Sequence, residues 1–190
     1  MCAPARGVPS VSLGVILSEN EAVSGASSVE IGVCDPREAL ARGILWAYLD
    51  DVISSYHRRP ASASEIRSAL NEFPSDDLVW PTGWFWVARV DGRPVGCVGL
   101  RVVEHTVGEV TRLYVLNTFR RRGCGSHLMT ELEHQATANG FRTLRLDTRD
   151  DLLEARALYA GRGYTEVGAF NDGPYADHWF EKQLPTSEAL

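Results

Sequence analysis

The chain has 190 residues, 44% hydrophobic and 23% charged, which suits one sizeable core and a single domain. A formal charge of −6 argues against a dedicated nucleic-acid binder, and no apolar run approaches the ~20 residues of a membrane span. Four scattered cysteines (Cys2, Cys34, Cys97, Cys124) form no C-x-x-C pair and no Cys/His cluster, so neither a zinc site nor a disulfide framework is expected, and a reducing cytoplasm fits best.

Residues 1–27 are rich in Ser, Gly, Ala and Pro without a sustained period and read as a disordered extension. Within them Val11 to Leu17 is a short apolar patch behind a single Arg6, too weakly charged in front to read as a secretion signal. Ser28 to Cys34 alternates Val29, Ile31 and Val33 and predicts a first strand. Asp35-Pro36 predicts a helix start, with an apolar face of Leu40, Ile44, Leu45, Tyr48, Val52 and Tyr56. Ser62-x-x-Glu65 is a capping box for a shorter helix carrying Ile66, Ala69, Leu70 and Phe73, broken at Pro74.

Trp84 to Val90 reads as a strand, Asp91-Gly92 as a hairpin turn, and Pro94 to Val103 as the returning strand. A connection over residues 104–108 leads into a strand from Glu109 to Val115. Beyond it lies R-R-R-G-C-G-S, then a helix from Ser126 with Leu128 and Leu132 on one face, stopped at Asn139-Gly140. Arg142 to Thr148 is the next strand, parallel to the preceding one across the helix. Asp150 or Asp151 caps a helix ending at Gly161-Arg162-Gly163. Strands at Tyr164–Phe170 and Ala176–Leu184 close a domain spanning 28–184, and residues 185–190 form a tail. On the last strand His178 alternates with Trp179 and reads as a structural or solvent-facing histidine. The fold class is mixed α/β.

A strand delivering two glycines to a helix start makes an anion site, because the first helical N–H groups lack internal partners and the dipole favours negative charge. There is no Lys after Gly125 for a P-loop, and Leu128 stands where a dinucleotide fingerprint needs its third glycine. What remains is R-x-x-G-x-G, met by Arg120, Gly123 and Gly125 behind Leu113-Tyr114-Val115. The alternative is a basic turn that merely joins strand to helix.

In this motif, in the order of its elements and in A-R-A-L-Y before Gly163-Tyr164, the chain resembles the GNAT superfamily of N-acyltransferases. The resemblance implies a mixed, mostly antiparallel sheet flanked by helices, and acetyl-CoA as co-substrate without a metal. It implies that backbone N–H groups of Arg121, Arg122, Gly123, Cys124, Gly125 and Ser126 hold the pyrophosphate. Arg120 would neutralise phosphate or shape the loop. The pantetheine arm would pair with main chain near Leu113, Tyr114 and Val115, with the side chains of Leu113 and Val115 expected in the core.

The expected reaction is direct acetyl transfer to a primary amine of a small molecule or protein, with no nucleic acid or membrane partner; a homodimer is allowed for. Tyr159 is the implied acid for the leaving thiolate, against the alternative of a core tyrosine. Glu109 is the candidate base, against a solvated strand-edge carboxylate, with other carboxylates and His178 as alternative bases. Cys124 leaves room for an acyl-cysteine, but direct transfer is simpler. Leu152 stands where many relatives place an Asn that bonds the arm. The acceptor site is expected from the two-helix region, the segment Trp80–Trp86 and the turn Asn171–His178. An inert acyl-CoA-binding module is the alternative function.

Overall fold

The computed structural model describes residues 28–185. The extension over 1–27 and most of the predicted tail lie outside the described residues. The elements run β1 (Val29–Val33), α1 (Ala39–His57), α2 (Ala63–Glu72), β2 (Gly83–Val90), β3 (Arg93–Glu104), β4 (Val107–Val115), α3 (Cys124–Ala138), β5 (Thr143–Thr148), α4 (Leu153–Gly161), β6 (Thr165–Val167) and β7 (His178–Gln183). A turn of 3-10 helix at Asn117–Phe119 precedes α3. The strands form one sheet in the order β1-β2-β3-β4-β5-β7-β6, parallel only between β4 and β5. The order of elements and the mixed sheet agree with the sequence reading.

Two apolar layers cover the sheet. On one face Leu128, Met129, Leu132 and Ala136 of α3 pack on Trp86, Val98, Leu144 and Leu146. On the other Ala41, Ile44 and Leu45 of α1 pack on Phe85, Val87 and Cys97. Leu78 lies so close to Gly99 that an added Cβ there would meet its Cδ1 at 2.6 Å, so any side chain at that point of β3 would displace the buried Leu78.

Several boundaries differ from the sequence reading for local reasons. Asp35 does not cap α1. Its carboxylate accepts the backbone N–H and Nε–H of Arg37 at 2.9 and 2.8 Å, closing a turn, and α1 starts after Glu38 with no side-chain cap. Neither Asp150 nor Asp151 caps α4, whose N-cap is Leu152. Asp151 is engaged by Arg149, and Asp150 by Arg156 and His178. The connection between β3 and β4 is a tight turn at His105-Thr106, so β4 begins two residues earlier. The strand expected at Tyr164–Phe170 shrinks to Thr165–Val167. By contrast the capping box forms in full: Ser62 Oγ accepts from Glu65 N–H, and the Glu65 carboxylate accepts from Ser62 N–H at 2.8 Å. Asp91 and Gly92 take the positive φ values (51° and 74°) that a two-residue hairpin turn demands.

Candidate active site

The site grows from an irregularity in β4. Tyr114 pairs with Cys97 and Thr111 with Gly99, so Arg112 and Leu113 together oppose the single residue Val98. Arg112 takes φ +55°, a left-handed conformation uncommon outside glycine. The extra residue shifts the alternation of faces: Val110 and Val115, five apart, both enter the α3 layer, while Tyr114 enters the α1 layer. On its other side β4 pairs with β5 only from Val107↔Thr143 to Glu109↔Arg145. Past that point the two parallel strands separate, and the edge of β4 from Val110 onward faces a cleft in the sheet.

The open edge leads into the glycine loop. Arg121 (φ +58°) and Gly123 (φ +81°) both lie in the left-handed region and turn the chain into α3, with Gly123 as its N-cap. The His127 N–H donates to Gly123 O at 2.9 Å, so the amides of Cys124, Gly125 and Ser126 precede the first intrahelical bond. An added Cβ on Gly123 would meet only His127 Cε1, at 3.9 Å, so the space before the loop is open to a ligand. These donors, a helix start and open space suit a diphosphate.

Arg120 is committed to the protein. Its Nε–H donates to Val115 O at 3.0 Å, its Nη2 pairs with Asp51 at 2.6 Å, and its guanidinium lies over the Tyr114 ring. It therefore ties the loop to the end of β4 and to α1. Arg121 and Arg122 are exposed at the loop's rim, Arg122 over the ring of Phe119. Leu113 and Val115 direct their side chains to the α3 layer, as expected, leaving main chain at the cleft. Burial pushes the Tyr114 phenol up to about 12.

Cys124 is buried in the α3 layer, and burial raises its thiol. A thiol so placed is a poor nucleophile. Tyr159 is also buried, its ring 5.8 Å from that of Tyr164 and 6.0 Å from that of Phe180. Burial, then Tyr48 and Asp147, push its phenol above its ordinary value. Because Tyr48 lies on α1 and Asp147 on β5, the phenol senses groups from both sides of the cleft. Glu109 sits where the cleft begins. Its carboxylate accepts from Arg101 Nη1 at 3.1 Å and Arg145 Nε at 3.3 Å, the residues directly beside it on β3 and β5. It is not the solvated edge carboxylate considered from sequence: only 16% of its side chain is exposed.

Three arginines escape a reading of the sequence. Arg162, legible there only as part of a helix stop, donates to Ser126 O and Oγ at 3.2 and 3.0 Å and to Glu133 at 2.8 and 3.1 Å. It fastens the first turn of α3. Burial alone would raise the Glu133 carboxyl, but hydrogen bonds from Arg162 and Lys182 outweigh it and hold the group below its usual range. Arg149, buried between β5 and α4, donates to Val52 O of α1 and to Asp151. Arg112 is the third. A run of strand residues gives no sign of a bulge, so nothing in V-T-R-L-Y-V marks it.

On the α1 side a cleft of about 520 Å³ is lined by Glu72, Phe73, Asp76, Asp77, Arg101 and Arg112. The ring of Tyr175, from the β6–β7 connection, lies 6.3 Å from Phe73 and 5.3 Å from Tyr56. Two of the three expected acceptor walls therefore meet here. The third does not. Trp80 and Trp84 contact each other, and Trp84 packs on Phe141 in the α3 layer.

The family model described as Acetyltransferase (GNAT) family matches residues 46–164, from α1 to the end of α4. The chain belongs to this family. Among relatives of this GNAT chain, an IAA acetyltransferase from Azospirillum brasilense is 37% identical over 99 residues, covering 52% of this chain and 63% of the relative. An N-acetylaspartate synthetase from Xenopus tropicalis is 29% identical over 118 residues, covering 60% and 44%. The chain thus spans about half the length of the curated relatives it matches. Solved GNAT structures share the fold along nearly their whole length. An acetyltransferase from Staphylococcus aureus superposes with a TM-score of 0.68 at 14% identity, over 83% of this chain and 100% of that one. The PaiA N-acetyltransferase from Thermoplasma acidophilum, solved with coenzyme A, gives 0.65 at 22% identity, over 82% and 99%.

Proposed function

We propose that this GNAT domain transfers an acetyl group from acetyl-CoA directly to a primary amine of a small molecule or a protein. The observation that carries the reading is the continuity of the open β4 edge with the glycine loop. A ligand with an amide arm and a diphosphate finds strand edge for the one and amide donors for the other. A relative named an acetyltransferase and a solved neighbour bound to coenzyme A support the same cofactor class.

In this reading the amides from Arg121 to Ser126 hold the pyrophosphate, and Arg120 keeps the loop in place. The arm lies along main chain from Leu113 to Val115. Leu152 offers the arm no side-chain amide, so main chain carries the task. Tyr159 gives its proton to the departing thiolate; burial keeps it protonated at neutral pH. The amine must attack unprotonated, and Glu109 accepts its proton through water at the cleft's closed end. The burial of Cys124 supports direct transfer over an acyl-cysteine. The three described cysteines are free and buried, which supports a reducing compartment such as the cytoplasm.

Calorimetric titration of coenzyme A tests the loop. Gly123→Asp adds a side chain at a left-handed φ and a negative charge beside the phosphates, so affinity should fall by at least tenfold. Equal affinity in the variant would remove the loop from the cofactor site.

A further inference from the structure

Arg112 lines the cleft on the α1 side, and its charge lacks an answer within the protein. The arginines around it are paired: Arg101 with Asp77 and Glu109, Arg120 with Asp51, Arg145 with Glu109, Arg149 with Asp151. Among the described residues no carboxylate is ion-paired with Arg112. Its Nε–H donates to Ser75 Oγ at 3.2 Å and its Nη2 to Phe73 O at 2.8 Å, both neutral acceptors, and the guanidinium lies 5.7 Å from the Tyr48 ring centroid. These contacts aim the fork and leave the Nη1 side without a protein acceptor among the described residues. The residue is half-buried and held at a left-handed φ on the bulge where β4 leaves β5. A partly desolvated guanidinium, oriented by two neutral partners and facing a cleft, favours a planar anion that can accept two hydrogen bonds.

We propose that Arg112 binds a carboxylate of the acceptor, so that the amine acetylated belongs to an amino-acid-like zwitterion. This rests on the acetyl-transfer reading above, since it names the substrate class of that site. Glu72 and Asp76 line the same cleft, and neither forms an ion pair among the described residues. They provide negative potential for the cationic amine on arrival while Arg112 takes the carboxylate. Phe73 and Tyr175 on the rim offer apolar surface for the rest of the molecule.

The test is calorimetry on the full chain saturated with coenzyme A. Its probes are matched pairs that differ by one carboxylate: phenylalanine and 2-phenylethylamine, leucine and isoamylamine, lysine and cadaverine. In at least one pair the acid should bind ten times more tightly than the amine or better. Arg112→Gln should bring that ratio close to one, and Arg112→Lys, which keeps the charge but loses the fork, should fall between. If Arg112→Gln does not fold, the ratio in Arg112→Lys decides. Amines binding as tightly as their acids in every pair would overturn the proposal and give the cleft to Glu72 and Asp76 as a cation site. An acid preference that survives both substitutions would overturn it too. Thiol release from acetyl-CoA is recorded separately with the same panel: silence there contradicts acetyl transfer, whereas the affinity ratio judges Arg112.

Discussion

At the scale of single residues the site depends on burial deciding which groups keep their protons. Tyr159 and Cys124 lie in the same apolar layer, and burial raises both. For the phenol this preserves a proton donor, whereas for the thiol it removes a nucleophile. Tyr159→Phe keeps the ring and its contacts with Tyr164 and Phe180 but has no proton to give. It should lower kcat on the order of tenfold or more while leaving coenzyme A affinity within about twofold. Unchanged turnover would exclude Tyr159 from the reaction. Because the folded phenol is raised above its ordinary value near ~10, its ionisation should cause no fall in rate below about pH 10. A falling limb assigned to this residue between pH 7 and 9 would contradict that. Tyr159 is legible in sequence through A-R-A-L-Y. Arg112 is not, because its importance comes from one extra residue in a ladder, which only the partner strand reveals.

At the scale of elements, glycines and the capping box are the most legible features of the sequence. Gly123 is marked by its place between strand and helix, and the Ser62–Glu65 box by its spacing. The acidic caps mislead. Asp35, Asp150 and Asp151 stand where cap residues stand, but Arg37, Arg156 and Arg149 compete for them and win. Spacing shows a carboxylate's neighbours along the chain but not its neighbours across the fold. His178 illustrates the same limit. Alternation on its strand gives it no partner. In the fold its Nδ1 lies 2.7 Å from Glu166 on β6 and its Nε2 lies 3.1 Å from Asp150 before α4. Hydrogen bonds to Glu166 first, then to Asp150, raise its pKa, so the protonated form is favoured in the native state. The tie is fully present below the unfolded value near ~6.5 and is lost as pH rises through the folded value. His178→Ala should therefore lower Tm more at pH 5.5 than at pH 9. An equal deficit at both would show that the ring acts by packing alone.

At the scale of the molecule, the sheet is the device. β4 keeps its parallel partner for three residue pairs and then leaves it, stiffened on its other side by β3. The ladder Arg101–Glu109–Arg145 crosses the sheet at the last paired position and holds three strands together where the cleft opens. Under the proposed function, helices on the two faces take different tasks: α3 would present amides to the cofactor, while α1, α2 and the β6–β7 connection would wall the acceptor cleft. The fold is readable from element order because hydrophobic period and turn residues set it locally. The proposed acceptor cleft is only half readable, since Trp84 and Trp86, which draw attention by composition, belong to the opposite layer and Trp80 is exposed.

The central claim is that one acetyl group moves from acetyl-CoA to one amine. It is tested by incubating the full chain with acetyl-CoA and a panel of amino acids, polyamines, aminoglycosides and peptide N-termini, counting thiol released and identifying acylated product by mass spectrometry. The account predicts, for at least one acceptor, a product heavier by one acetyl group and one thiol per product. Coenzyme A binding without an acetylated product from any acceptor would contradict it and leave a domain that binds the cofactor without using it.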